Sequence, residues 1–129
     1  MAYALDNLPD SIEDFLSTRA FGALNSIDDT ENIHTAVVGF HFDMTKNTIR
    51  IISQKNSKKV KNITQNNNVS LSQIRENKWL SFIGTATIKY DEESIKHATD
   101  AYTVRYEKPS ENPDRVAIEI SVKKILGNA

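Results

Sequence analysis

The stretch from Lys78 to Tyr90 restricts this chain more than any other. Leu80, Phe82, Gly84, Ala86, Ile88 and Tyr90 share one face of a strand, and Trp79, Ser81, Ile83, Thr85, Thr87 and Lys89 share the other. A glycine among bulky inward neighbours predicts a bend or the close approach of a second backbone, as in small curved barrels. Other segments keep the same period. From Arg115 to Val122 the inward residues are Val116, Ile118, Ile120 and Val122, and Lys123 to Ala129 reads as a short tail. Ile33 to Phe42 reads as one strand with His34, Ala36, Val38, Phe40 and Phe42 on its apolar face. Ala20 to Ile27, Thr48 to Ser53 and Val69 to Arg75 complete the set. Polar turns at 28–32 and 43–47 make the first three strands an antiparallel meander.

The helices are few and short. Pro9 to Leu16 buries Ile12, Phe15 and Leu16, with Asp10 or Ser11 as its cap. Ser57 caps a helix from Lys58 to about Asn66, with Val60 and Ile63 inward and the asparagines 66–68 suited to a left-handed exit. A third helix follows Asp91, with Ile95, Ala98, Thr99 and Tyr102 inward and Val104 and Tyr106 near its end. The chain has 129 residues, enough for one domain, 1–129, with a real core. The predicted fold is mainly β (α+β), a six-stranded antiparallel barrel with short flanking helices.

One stretch breaks a rule the rest obeys. Lys55, Lys58, Lys59 and Lys61 crowd the start of the second helix, and no acidic residue lies between Ser53 and Gln65. A helix N-terminus carries partial positive charge, so each exposed cation there costs about 0.3–1 kcal/mol. The third helix begins instead with Asp91, Glu92 and Glu93, as the dipole favours. Lysines beside free backbone N–H groups make sense when an anion such as a phosphate joins them.

Composition narrows the partners. The net charge of −1 gives no global attraction to nucleic acid or to an anionic membrane, so any basic site is local. Aromatic residues are few and scattered, against an oligonucleotide-binding surface. The chain contains no cysteine, which fits a cytoplasmic protein and excludes thiolate metal sites. No apolar run approaches the roughly 20 residues that span a bilayer. His34 and His41 are an odd number apart on one strand and face opposite sides, a poor metal pair. No serine has a nucleophile-elbow context, and 91–93 reads as capping rather than a carboxylate pair, so no catalytic residue is named.

The run Ser53 to Asn62, with Ser57-Lys58-Lys59 and Lys59-Val60-Lys61-Asn62-Ile63, then Asn68-Val69-Ser70-Leu71, and Trp79 ahead of Gly84-Thr85-Ala86, resembles the FMN-binding split β-barrel superfamily. These are the pyridoxamine 5′-phosphate oxidase-like proteins, and the chain looks most like their small single-domain branch of deazaflavin (coenzyme F(420))-dependent reductases. The resemblance implies a split β-barrel homodimer with FMN or coenzyme F(420) in clefts between protomers, acting as an oxidoreductase on a small organic molecule. A non-catalytic flavin or haem carrier on the same barrel is the alternative. By the same resemblance Lys59 is the phosphate-binding lysine. Ser53, Gln54, Lys55 and Ser57 are phosphate-turn positions, and Lys58 is a neighbour. The backbone of Thr35, Ala36 and Val37 would run along the ring, and Trp79 would line the cleft from the partner subunit. The chain departs from the family at Thr30-Glu31-Asn32-Ile33-His34, which lacks the usual Gly and Pro, and at Ala36, where serine is frequent.

Overall fold

A computed structural model describes residues 2–129. In chain order the elements are α1 (Asp10–Ser17), β1 (Gly22–Ile27), β2 (Ile33–Val38), β3 (His41–Asp43), β4 (Thr48–Gln54), α2 (Lys58–Gln65), β5 (Asn68–Arg75), β6 (Lys78–Lys89), α3 (Glu92–Arg105) and β7 (Arg115–Gly127). The strands form one antiparallel sheet in the order β2-β1-β5-β6-β7-β4-β3. Its first and last strands are consecutive in the chain, so the sheet curls until both ends meet at the Gly39–Phe40 corner. Val38 of β2 and Phe42 of β3 accordingly share one core with Leu24, Ile51, Leu71, Phe82 and Ile120. Ile12 and Phe15 of α1 join the same core.

Among the described residues there are seven strands, not six. The segment Ile33 to Phe42 keeps its predicted inward row but breaks at Gly39–Phe40, and α3 is the cause. A Cβ on Gly39 would sit 2.7 Å from the Tyr102 ring. The Phe40 amide donates to the Tyr106 hydroxyl at 3.1 Å, and Arg105 donates to the Phe40 carbonyl at 3.0 Å. Side chains from α3 and the residue after it therefore take the backbone groups that a neighbouring strand would otherwise use. The Tyr106 hydroxyl also donates to the Ala20 carbonyl, and its side chain is buried. Tyr106→Phe should cost about 1–3 kcal/mol, because it strands buried backbone groups at the corner; a urea melt with an unchanged slope checks this.

The tail after Val122 is strand. β7 continues to Gly127, and Ile125 is fully buried. The reason is a bulge. Ile83 pairs with Lys124 but Gly84 pairs with Val122, so Lys123 is the extra residue and the inward phase slips there. Sequence alternation stops at Lys123 although pairing does not. Gly84 is the predicted close approach: a Cβ there would overlap the Ser121 carbonyl oxygen.

Three smaller expectations fail. Pro9, not Asp10 or Ser11, is the N-cap of α1, and it makes no side-chain cap bond. Asn66 leaves α2 in extended backbone, and none of 66–68 has positive φ, because the chain enters β5 directly. Val104 is exposed, since α3 lies across the sheet by Ala98, Ile95 and Tyr102 and turns Val104 away. The inward positions Val60 and Ile63 of α2 are buried as predicted, joined by Asn62, which donates to the Ser26 hydroxyl at 3.1 Å.

Candidate functional site

β4 ends in a polar turn that opens straight into α2, and a cleft of about 330 Å³ lies against that junction. It is lined by Ile52, Ser53, Gln54, Ser57, Lys59, Asn112 and Arg115. Ser57 is the N-cap of α2, and its hydroxyl accepts from the Val60 amide at 3.4 Å. The same hydroxyl lies 3.0 Å from that of Ser53. The Lys61 amide reaches the Ser57 carbonyl at 3.1 Å. The amides of Lys58 and Lys59 have no backbone or side-chain acceptor among the described residues, as expected for the first turn of a helix.

Lys59 is the lysine that lines the cleft. Burial holds its ammonium pKa below the ordinary lysine value, and it makes no salt bridge among the described residues. Among the described residues no carboxylate lines the cleft. A half-buried ammonium, open amides and hydroxyls together make a concave surface of donors that suits a phosphate.

The other lysines of the run are turned elsewhere. Lys55 pairs with Asp114 at 3.3 Å, and its amide donates to the Asp114 carbonyl at 2.9 Å. Lys58 lies close enough to Asp28 to help lower that carboxyl's pKa, behind the hydrogen bonds from Thr30 and Asn32. Acids therefore do stand near the cluster, contributed by distant turns rather than by neighbours in sequence. Asn112 and Arg115 were not identified from the sequence. Arg115 stands opposite Gln54 because β4 pairs with β7, a pairing that the residues on neither strand announce.

Thr35, Ala36 and Val37 lie on β2, and none of them lines the cleft of a single chain. The Thr35 hydroxyl donates to Asn25 Oδ1 at 2.7 Å, and Asn25 Nδ2 donates to the Ser70 hydroxyl at 3.1 Å. Trp79 lies on β6 opposite Ile74, is 38% exposed, and is likewise outside that cleft. Trp79, Ile83, Ile74, Val37 and Ile33 are all exposed apolar side chains on the β2-β1-β5-β6 part of the sheet.

A second, larger cleft of about 650 Å³ lies between α1, β3 and the end of α3. It suits a phosphate poorly. Glu13 and Asp43 line it, and its cation Arg105 already donates to the Thr18 and Phe40 carbonyls and to Gln73. Burial also lowers the pKa of its His41, so that imidazole adds no charge near neutrality.

Comparison with known proteins bears on the family and the fold. Residues 8–129 match the family model described as pyridoxamine 5′-phosphate oxidase. The F420H(2)-dependent biliverdin reductase of Mycobacterium tuberculosis (strain CDC 1551 / Oshkosh) is 33% identical over 129 residues, all of this chain and 94% of that protein. Among solved structures, a conserved hypothetical protein from Mycobacterium tuberculosis superposes with a TM-score of 0.80 at 18% identity, over 94% of this chain and 84% of that one. An F420 reductase superposes with a TM-score of 0.73 at 21% identity, over 92% and 98% respectively. These two share the fold with the present chain, and the family match spans nearly all of it. The chain belongs to the pyridoxamine 5′-phosphate oxidase family.

Proposed function

We propose that this protein is an oxidoreductase that binds the deazaflavin coenzyme F(420) and reduces a conjugated tetrapyrrole of the biliverdin type. The observation that carries the reading is Lys59: a half-buried cation with no carboxylate partner among the described residues, beside open amides in a cleft. These residues fit a ribityl phosphate, which FMN and the deazaflavin share. The relative that acts with F420H(2) on biliverdin favours the deazaflavin and that substrate class.

When bound, the reduced deazaflavin supplies a hydride. The chain's own part is to hold and orient. Lys59, the Lys58 and Lys59 amides and the Ser53–Ser57 hydroxyl pair seat the phosphate. Ser57 meanwhile fixes the first turn of α2, so the donors are arranged before the ligand arrives. β2 is a terminal strand of the sheet. Its backbone at Thr35, Ala36 and Val37 is the surface along which the ring lies. Lys55 and Gln54 hold the shape of the turn, and Lys58 adds positive potential beside it.

A homodimer completes the site in this reading. The exposed apolar residues Ile33, Val37, Ile74, Trp79 and Ile83 form its contact face, and Trp79 closes the partner's cleft.

The test is a spectroscopic titration of the purified protein with F(420) and with FMN, followed by turnover of biliverdin with reduced F(420). Binding of F(420) and loss of the biliverdin absorbance are the expected results. If neither cofactor binds at high micromolar concentration, the proposal fails. If F(420) binds but biliverdin is not reduced, the substrate assignment fails. Binding with no turnover of any acceptor favours a carrier.

A further inference from the structure

We infer that Asn62 is a positioning residue, one that sets the phosphate-holding start of α2 at the required distance and angle from the β1–β2 hairpin along which the ring lies. This rests on the proposed phosphate seat at Lys59 and the proposed ring surface at Thr35, Ala36 and Val37. Asn62 follows Lys59 by one helical turn, and only 2% of it is exposed. Its Nδ2 donates to the Ser26 hydroxyl at 3.1 Å, and Ser26 is equally buried. Ser26 stands on β1 directly opposite His34 of β2, and Thr35 is the next residue along. One buried hydrogen bond therefore joins the helix that seats the phosphate to the hairpin that carries the ring. The same two elements approach at the hairpin tip, where Lys58 acts on the Asp28 carboxylate. Lys58 is exposed, so that pull is screened and sets no fixed geometry.

The apolar anchors of α2 do not supply this by themselves. Val60 and Ile63 hold the helix on the core, but apolar burial is non-directional, and a helix of eight residues has few such anchors. A hydrogen bond weakens steeply as donor and acceptor leave line, so it selects one rotation and one rise of the helix. Leaving it unmade strands two buried polar groups, which penalises any slip. The effect reaches the ligand because a ribityl chain of limited length joins the ring to the phosphate. A cofactor that fills both half-sites gains from the second only when their spacing matches that chain. Asn62 thereby acts on affinity for the whole cofactor through the placement of Lys59 and the α2 amides.

The experiment measures dissociation constants of the full-length protein for F(420) and for its two halves. The halves are 5-deazariboflavin, which has the ring and ribityl chain without the phosphate, and inorganic phosphate. Asn62→Leu keeps the branched shape and removes the donor, and Ser26→Ala removes the acceptor. Each should weaken F(420) about tenfold and each half less than about twofold, because the half-sites persist and only their spacing is lost. The double variant should lose no more than the weaker-binding single one, since both remove one contact. Unchanged F(420) affinity in both single variants overturns the inference. So does an equal loss for F(420) and for either half, which would assign the effect to local disorder, and so does a double variant whose loss is the product of the two single losses. Lys59→Ala separates the two claims: if it weakens neither F(420) nor inorganic phosphate, the phosphate site itself is misplaced. If it weakens both while Asn62→Leu and Ser26→Ala change nothing, only the role of Asn62 falls.

Discussion

Lys59→Ala should weaken binding of a phosphate-bearing cofactor more than tenfold, a loss of about 1.4 kcal/mol or more, and leave the fold in place. The size follows from burial. Removing the cation from a half-buried site leaves the phosphate with amides and hydroxyls alone, and charge-assisted hydrogen bonds are roughly twice as strong as neutral ones. The fold survives because α2 is held by Val60, Asn62 and Ile63, all buried, and by the Ser57 cap. Alanine is also the better helix former, and it removes a cation from the positive end of the helix dipole. The empty variant should therefore melt no lower than the parent. Proton linkage gives a second readout. Burial lowers the Lys59 pKa in the empty protein, and a bound phosphate raises it by supplying the missing charge. In the alkaline window between those two values the complex holds more proton than the free protein. Binding then takes up a proton, and affinity falls as pH rises through the window. Calorimetry in buffers of different ionisation enthalpy measures the uptake, and Lys59→Ala should abolish it. Unchanged affinity in that variant would put the phosphate elsewhere.

Gly84→Ala should be the most damaging single-methyl change in the chain. The new Cβ would overlap the Ser121 carbonyl oxygen and crowd Val122 Cα at 3.2 Å. Those are backbone atoms of β7, paired to β6 over most of its length, so no rotamer change relieves the clash. The ladder must open at the bulge, where Phe82, Ala86, Ile120 and Val122 meet in the core. Overpacking of this kind costs about 3 kcal/mol or more. Thermal melting should show a drop of about 10 °C or more, given the usual scaling for domains near this size. A variant that melts like the parent would mean that the sheet can flex at Gly84 without loss.

Gly84 was legible in the sequence because a glycine in an apolar row points to a bend or to a close backbone approach, and the structure has the second. Ser57, Val60 and Ile63 were legible for a similar reason: cap and stripe are local patterns. Lys55, Lys58, Lys59 and Lys61 stood out together as a local charge anomaly, and the family resemblance singled out Lys59 among them. What stayed hidden was pairing at long range. Arg115 enters the cleft through the β4–β7 register, Asp114 reaches Lys55 by the same route, and Asp28 approaches Lys58 from another turn. The break at Gly39–Phe40 was invisible because its cause lies in α3. The extension of β7 was masked by a bulge, which shifts the inward phase while leaving the strand intact.

The corner at Phe40 also sets an order of events for the growing chain. Its amide is satisfied by a residue 66 positions downstream, and the Ala20 carbonyl by the same side chain 86 positions away. Loops of that length close slowly and only after their ends exist. During synthesis, then, the β1–β2 hairpin and the β3–β4 hairpin form early and wait, each with a bare edge. Ring closure must await α3 and β7, which carry the last third of the protein. A ribosome stalled before Tyr106 holds a sheet with open edges, prone to pair with another nascent chain. Release from that hazard comes late, when Arg105 and Tyr106 close the corner and β7 then pairs with both β4 and β6.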